Sequence, residues 1–276
     1  MKKIINMGIF ALAWCLFFCG PIHSETNRTR ISATGDNFSE TADIEAEILF
    51  GRDLAARILG NYKAVTDKAL ITYVNTLGKG LGLYSGRPEL EFRFIVLDSN
   101  EINAFATPGG YIFITRGAIG RMDNEAQLAC VLAHEIAHIT KKHVVRKLNI
   151  RGDESSSFAM LTGAIGSNTA AFRNLLETTL NEAADILFEK GYKLKEEMEA
   201  DSVGLQIAAL AGYAPMELKT FLIACKGFEK KDASYKGEHP QLTVRLKSIN
   251  QTLLENGLDK QTKAKVRRRF HAYAKK

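Results

Sequence analysis

Cysteine is scarce in this 276-residue chain: there are four, and Cys15 and Cys19 fall in an N-terminal apolar run. The other two, Cys130 and Cys225, leave room for one bridge and exclude a disulfide framework. Long apolar runs are also few. The one near the start, about Met7 to Cys19, is shorter than the roughly 20 residues a membrane-spanning helix needs. Zinc-knuckle, RNA-binding and helix-turn-helix signatures are missing, so no nucleic-acid partner is expected. There is no internal repeat, and no low-complexity tract beyond a Gly/Ser/Ala-rich patch after Arg151. A hydrophobic content of 46% argues against disorder and suffices for a substantial core.

The N-terminus does carry Lys2 and Lys3, then the apolar run, then Gly20-Pro21 and polar residues, which is the order of an export signal. Cleavage is expected after Ser24. An uncleaved anchor and a lipidated Cys19 are the alternatives, the second weakened by Phe18 standing where a small residue belongs. The expected location is therefore the periplasm or envelope, with membrane association under either alternative. Removing residues 1–24 takes Lys2 and Lys3 and no acid, leaving 35 basic against 31 acidic side chains and a formal charge of +4. Much of that small excess lies in "KAKVRRRFHAYAKK", so residues 257–276 read as a solvated basic tail.

Residues 25–37 are polar and aperiodic, as in a flexible terminus. From Ser39 to Gly60, and again in "DKALITYVNTLGKGLGLY", apolar residues recur at helical spacing. "ELEFRFIVLDS" alternates as a strand does. "NEINAFATPGGYIFITRGAI" reads as two short strands joined by Pro108, Gly109 and Gly110, the second with Tyr111, Phe113 and Thr115 on one side and Ile112 and Ile114 on the other. A long helix, "NEAQLACVLAHEIAHITKKHVVRKL", follows, capped by Asp123 or Asn124. Residues 151–192 suggest a mobile insertion or lid, with a packed helical hairpin as the alternative. Helices are expected from Lys193 to Leu210, and on either side of "KKDASYKGE". The fold class expected is α+β: one mainly helical catalytic domain over residues 38–256, with a small sheet beside the long helix.

That helix contains His134, Glu135 and His138. Residues four apart are displaced by about 40° around a helix, so both imidazoles project from one face and can share a metal ion. Glu135 points about 100° away from His134, beside such an ion, where it could take a proton from a metal-bound water. A catalytic site of this type needs a third protein ligand. "EMEAD" offers Glu197, four residues before a co-facial Asp201 that could accept a hydrogen bond from a liganding histidine. Glu196 and Glu199 compete with Glu197 for that role. Cys130 and His143 read as scaffold, the latter as a structural hydrogen-bonder rotated off the ligand face.

"NAFATPGGYIFITRG", "HEIAHITKKH", "EMEAD" and "HPQLTVR", in that order, resemble the zinc metallopeptidase family that includes the CAAX prenyl endopeptidases and the bacterial periplasmic β-barrel assembly-enhancing protease. The resemblance runs from about Thr41 to Leu254. It implies a zincin-like fold with one Zn2+ per chain on His134, His138 and Glu197, with Glu135 as catalytic base and Asp201 behind the ligands. It also implies a substrate-binding edge at Gly110, Tyr111, Ile112 and Phe113, with Asn103 in the Asn-Ala-Phe turn. His239 and Arg245 match the last motif and are candidate donors to the developing oxyanion, with His239 as a resting-state zinc ligand the alternative. The prenyl-processing members have multiple transmembrane segments that are absent here, so CAAX substrates are not expected. The function implied is a zinc endopeptidase acting on misfolded or unassembled envelope proteins, with possible ties to the membrane or to outer-membrane assembly machinery. A zinc-containing chaperone or assembly factor of the same fold is the alternative.

Overall fold

A computed structural model describes residues 41–152, 170–229, 242–259 and 264–274. The expected signal, the polar stretch at 25–37, "KKDASYKGE" and His239 lie outside the described residues. The first elements are helix α1 (Thr41–Asn61), helix α2 (Lys68–Gly82) and strand β1 (Arg93–Leu97). Asp67 caps α2 by accepting hydrogen bonds from the backbone N–H groups of Ala69 and Leu70.

The hairpin is present. Strands β2 (Ala104–Thr107) and β3 (Tyr111–Thr115) pair antiparallel across the turn Pro108–Gly110, and β1 pairs parallel with the far side of β3. The strand order is β1-β3-β2. That corrects the edge expected at Gly110–Phe113: β3 is the central strand, hydrogen-bonded on both sides, with Ile112 and Phe113 fully buried. The edge beside the long helix is β2.

Alternation along β3 sends its side chains into two hydrophobic clusters. Ile112 and Ile114 pack with α2 residues such as Val74 and Leu81, and Phe113 packs with Phe105 and with Phe50 and Leu54 of α1. The turn lies against α1 with almost no clearance. A Cβ on Gly109 would come 2.9 Å from Ile48 Cα, and one on Gly51 would come 1.8 Å from Pro108 O. Gly109 also has a φ of +74°, which glycine adopts without strain.

A short helix α3 (Arg116–Arg121), where the second strand was expected to continue, leads to α4 (Glu125–Thr140) and α5 (His143–Lys147). Thr115 ends β3 by capping α3, its hydroxyl accepting from Ala118 N–H. The expected single helix from Asn124 to Leu148 is broken because Lys142 takes a left-handed conformation. Asn124 is the cap, accepting from Gln127 N–H at 3.1 Å. Every residue of α4 is buried, so it is the central helix of the domain and not a surface amphipathic one.

The described part of the expected insertion is α6 (Ala170–Asp185) followed by a π-helical turn, Ile186–Lys190. Both pack on the domain: Arg57 of α1 pairs with Glu177 at 2.7 Å, and Phe188 meets Tyr62 and Phe105. Helices α7 (Leu194–Leu210), α8 (Glu217–Glu229) and α9 (Leu242–Glu255) follow. The C-terminal residues, expected as a solvated tail, form α10 (Arg267–Ala274), with Phe270 fully buried in the core. Cys130 and Cys225 are both buried, and neither forms a disulfide among the described residues.

Candidate active site

Helices α4 and α7 bring the site together. Helix α7 lies along α4 at close range because residue 204 has no side chain: a Cβ there would meet His134 Cα and N at 2.9 Å. The approach brings Glu197 of α7 to the two histidines of α4. His134 Nε2 and His138 Nε2 are 3.1 Å apart, and the Glu197 oxygens lie 3.6 Å from the first and 3.8 Å from the second. Tetrahedral zinc with Zn–N bonds of about 2.0–2.1 Å needs ligand atoms about 3.3 Å apart. The spacing and the two-imidazole, one-carboxylate donor set therefore fit a metal ion, and all three residues are buried. Glu196, a competitor for the third position, is instead engaged at the start of α7, where it accepts from Lys193 N–H at 2.7 Å.

Each ligand is held from behind. His134 Nδ1 sits 3.0 Å from Asp201 Oδ1. Arg245 of α9, itself 1% exposed, grips both acids of α7: its Nε and Nη2 donate to Asp201 at 2.8 and 2.7 Å, and its Nη1 lies 2.6 Å from Glu197 Oε2. Burial alone would raise the Asp201 carboxyl, but the Arg245 guanidinium and His134 hold it at about 2. Arg245 was expected as an oxyanion donor. The structure commits its guanidinium to Glu197 and Asp201, so it acts as a brace for the ligand set.

His138 Nδ1 lies 2.8 Å from His143 Nδ1, and His143 Nε2 lies 3.4 Å from Glu199 Oε2. Lys141 is 3.3 Å from the other Glu199 oxygen. Burial holds His143 below the usual imidazole pKa, although Glu199 opposes this. One hydrogen-bond pattern satisfies the chain and puts the lone pair of His138 on Nε2, the atom beside His134 Nε2 and Glu197. His138 Nδ1–H donates to His143 Nδ1, and His143 Nε2–H donates to Glu199. Glu199, the other rival for the ligand position, thus belongs to this outer chain.

Glu135 is buried beside the triad, and burial, reinforced by the Glu197 carboxylate, pushes its carboxyl up to about 7. That lies in the range a proton-accepting carboxylate needs near neutral pH. Asn103 and Ala104, at the start of edge strand β2, line the cleft together with His134, Glu135, His138 and Glu197. On its other side Asn103 borders an apolar pocket of Ile102, Val131, Leu218, Phe221 and Cys225, which also reaches His134, Glu135 and Arg245. Gly110, Tyr111, Ile112 and Phe113 line neither space. A larger cavity of about 610 Å3, walled by Lys79, Leu83, Arg87 and Phe92, contains no metal ligand.

With this geometry established, the sequence pattern of peptidase family M48 matches residues 71–253, which contain every site residue above. The chain belongs to peptidase family M48. The beta-barrel assembly-enhancing protease of Escherichia coli is 31% identical to this M48 chain over 196 residues, 68% of the chain and 39% of that relative. Mitochondrial metalloendopeptidase OMA1 of Schizosaccharomyces pombe is 26% identical over 240 residues, 86% of the chain and 67% of that relative. The M48 chain spans about two-fifths of the length of the bacterial relatives it matches.

Sequence reasoning about this M48 chain missed Tyr192. It stands two residues before α7, with its ring stacked on His138 at 4.0 Å. The one available signal was an aromatic residue just upstream of the helix bearing the third ligand.

Proposed function

We propose that this chain is an exported, zinc-dependent endopeptidase that hydrolyses misfolded or unassembled envelope proteins. The observation that carries the reading is the buried triad His134, His138 and Glu197 with Glu135 alongside it. Bound zinc would supply Lewis acidity and a water made acidic enough to act near neutral pH. Glu135 accepts a proton from the attacking water and returns it to the leaving amine. The outer edge of β2, unpaired with any other strand among the described residues, offers backbone groups along which an extended substrate can lie, with Asn103 lining the same cleft. The apolar pocket beside Glu135 would take a hydrophobic side chain next to the scissile bond, which unfolded proteins expose and folded ones bury. The names of the bacterial relatives, beta-barrel assembly-enhancing proteases, support a client set drawn from β-barrel assembly. Membrane contact would come through residues 1–24, since no helix among the described residues is long and apolar enough to cross a membrane.

The test is zinc content together with cleavage of unfolded casein by the wild type and by Glu135→Gln. One zinc per chain in both proteins is expected, with turnover reduced about 10²–10⁴-fold in the variant. A wild type that holds zinc but cuts no unfolded client would favour a chaperone that binds clients along β2.

A further inference from the structure

Attack on a peptide carbonyl drives negative charge onto its oxygen, and a positioned donor there contributes more than most other groups in such a site. Arg245 is committed to Glu197 and Asp201. Tyr192 meets the requirement from another element. Its ring lies nearly parallel to the His138 imidazole, with centroids 4.0 Å apart and planes 22° apart. It lines the same cleft as His134, Glu135, His138 and Glu197. Its hydroxyl is enclosed and has no hydrogen-bond partner among the described residues. Leaving a buried hydroxyl unpaired is costly, and such groups in native structures call for an explanation.

The phenol shares its cleft with both Glu135 and Glu197. Glu197 lies on the Nε2 side of His138, 3.8 Å from that atom. The Tyr192 ring also lies near the second imidazole, with its centroid 5.7 Å from that of His143. The backbone that presents it is firmly seated: Phe188, four residues earlier, stacks with Tyr62 and meets Phe105 of β2 edge-on. Five residues later the same segment supplies Glu197, so donor and ligand are positioned as one unit.

We propose that Tyr192 is a catalytic residue, whose phenol O–H donates a hydrogen bond to the substrate carbonyl oxygen as that oxygen becomes negative. The assignment rests on the endopeptidase reading. In the addition step the water oxygen bonds to the carbonyl carbon, the π pair moves onto the carbonyl oxygen, and Glu135 takes the water proton. In the collapse the pair returns, the C–N bond breaks, and that proton leaves on the amine. The Tyr192 proton stays on the phenol throughout.

Tyr192→Phe removes the hydroxyl and keeps the stacking ring. With casein as substrate, kcat is expected to fall about 10²-fold with KM within about twofold, while zinc stays at one per chain. A phosphinic analogue of a casein peptide cut by the wild type gives a readout independent of turnover. Its Kd should rise by a similar factor, while the Kd of the cleaved product stays unchanged. Equal kcat in the two proteins would overturn the assignment and leave the endopeptidase reading intact. Loss of zinc from Tyr192→Phe would also overturn it, by making Tyr192 a support for His138. A wild type that cuts no unfolded substrate ends the endopeptidase reading and this assignment with it.

Discussion

His143 shows what one side chain can do without touching the metal or the substrate. By accepting the Nδ1 proton of His138 it selects the tautomer whose Nε2 lone pair faces the metal position, and Glu199 fixes its own orientation in turn. Replacing such a partner typically costs 10–100-fold in metal affinity. His143→Ala is therefore expected to bind zinc about 10–100-fold more weakly in a chelator competition while keeping its helical content. An unchanged affinity would show that His138 needs no help. The sequence suggested a hydrogen-bonding role for His143 by counting along one continuous helix; the role matches its contacts, but His143 stands on a separate short helix. Its partner could not be read from the sequence, because Lys142 breaks the helix in a left-handed conformation and turns the imidazole back toward His138. For Arg245 a motif match suggested a donor. Its place between Glu197 and Asp201 is a matter of three-dimensional neighbours.

Elements obeyed local rules where their own residues decide the outcome. Asp67 and Asn124 accept N-terminal N–H groups as their positions predict, and the Pro108–Gly110 turn joins two antiparallel strands. Alternation along Tyr111–Thr115 correctly assigns its two faces. It cannot tell a central strand from an edge, since both alternate alike when helices cover both faces. Gly204 makes the same point about helices. Judged by propensity, alanine should stabilise an interior helix position by about 1 kcal/mol over glycine. Here the added Cβ would lie 2.9 Å from backbone atoms of His134 and force α7 away from α4. Gly204→Ala is thus expected to be destabilising, by about 1–3 kcal/mol, and to weaken zinc binding, because Glu197 moves with α7. Denaturant titration and zinc titration would measure the two effects. A more stable variant with unchanged affinity would refute this account of the helix pair.

At the scale of the molecule, the C-terminal helix ties the domain closed at the start of α4. Glu125 accepts hydrogen bonds from Arg269, from Tyr73 at 2.8 Å and from Tyr213 at 2.7 Å, while Phe270 enters the core. Burial would raise the Glu125 carboxyl, but Arg269 and the two tyrosines hold it below its usual value of 4.5. A carboxyl depressed by folding adds stability above its unfolded value and loses it as pH falls through the folded one. Glu125→Gln is expected to cost about 2 kcal/mol at neutral pH, and the gap from wild type should narrow as the solution is acidified below 4.5. Urea titrations at neutral and acid pH would check this; a gap that widens in acid would contradict it.

The sequence by itself determined which residues can share a metal, since the spacing of His134 and His138 and of Glu197 and Asp201 is set by the helical repeat. It also determined the helix caps, the turn and the mainly helical class, all of which depend on neighbours along the chain. Only the tertiary structure decided that Glu197, and not Glu196 or Glu199, lies against the histidines. The same holds for β2 as the open edge, Arg245 as a brace, Tyr192 over His138 and the docked C-terminal helix. Those outcomes depend on contacts between segments far apart in sequence, where a missing Cβ at Gly204 or a buried carboxylate at Glu125 sets what can approach what.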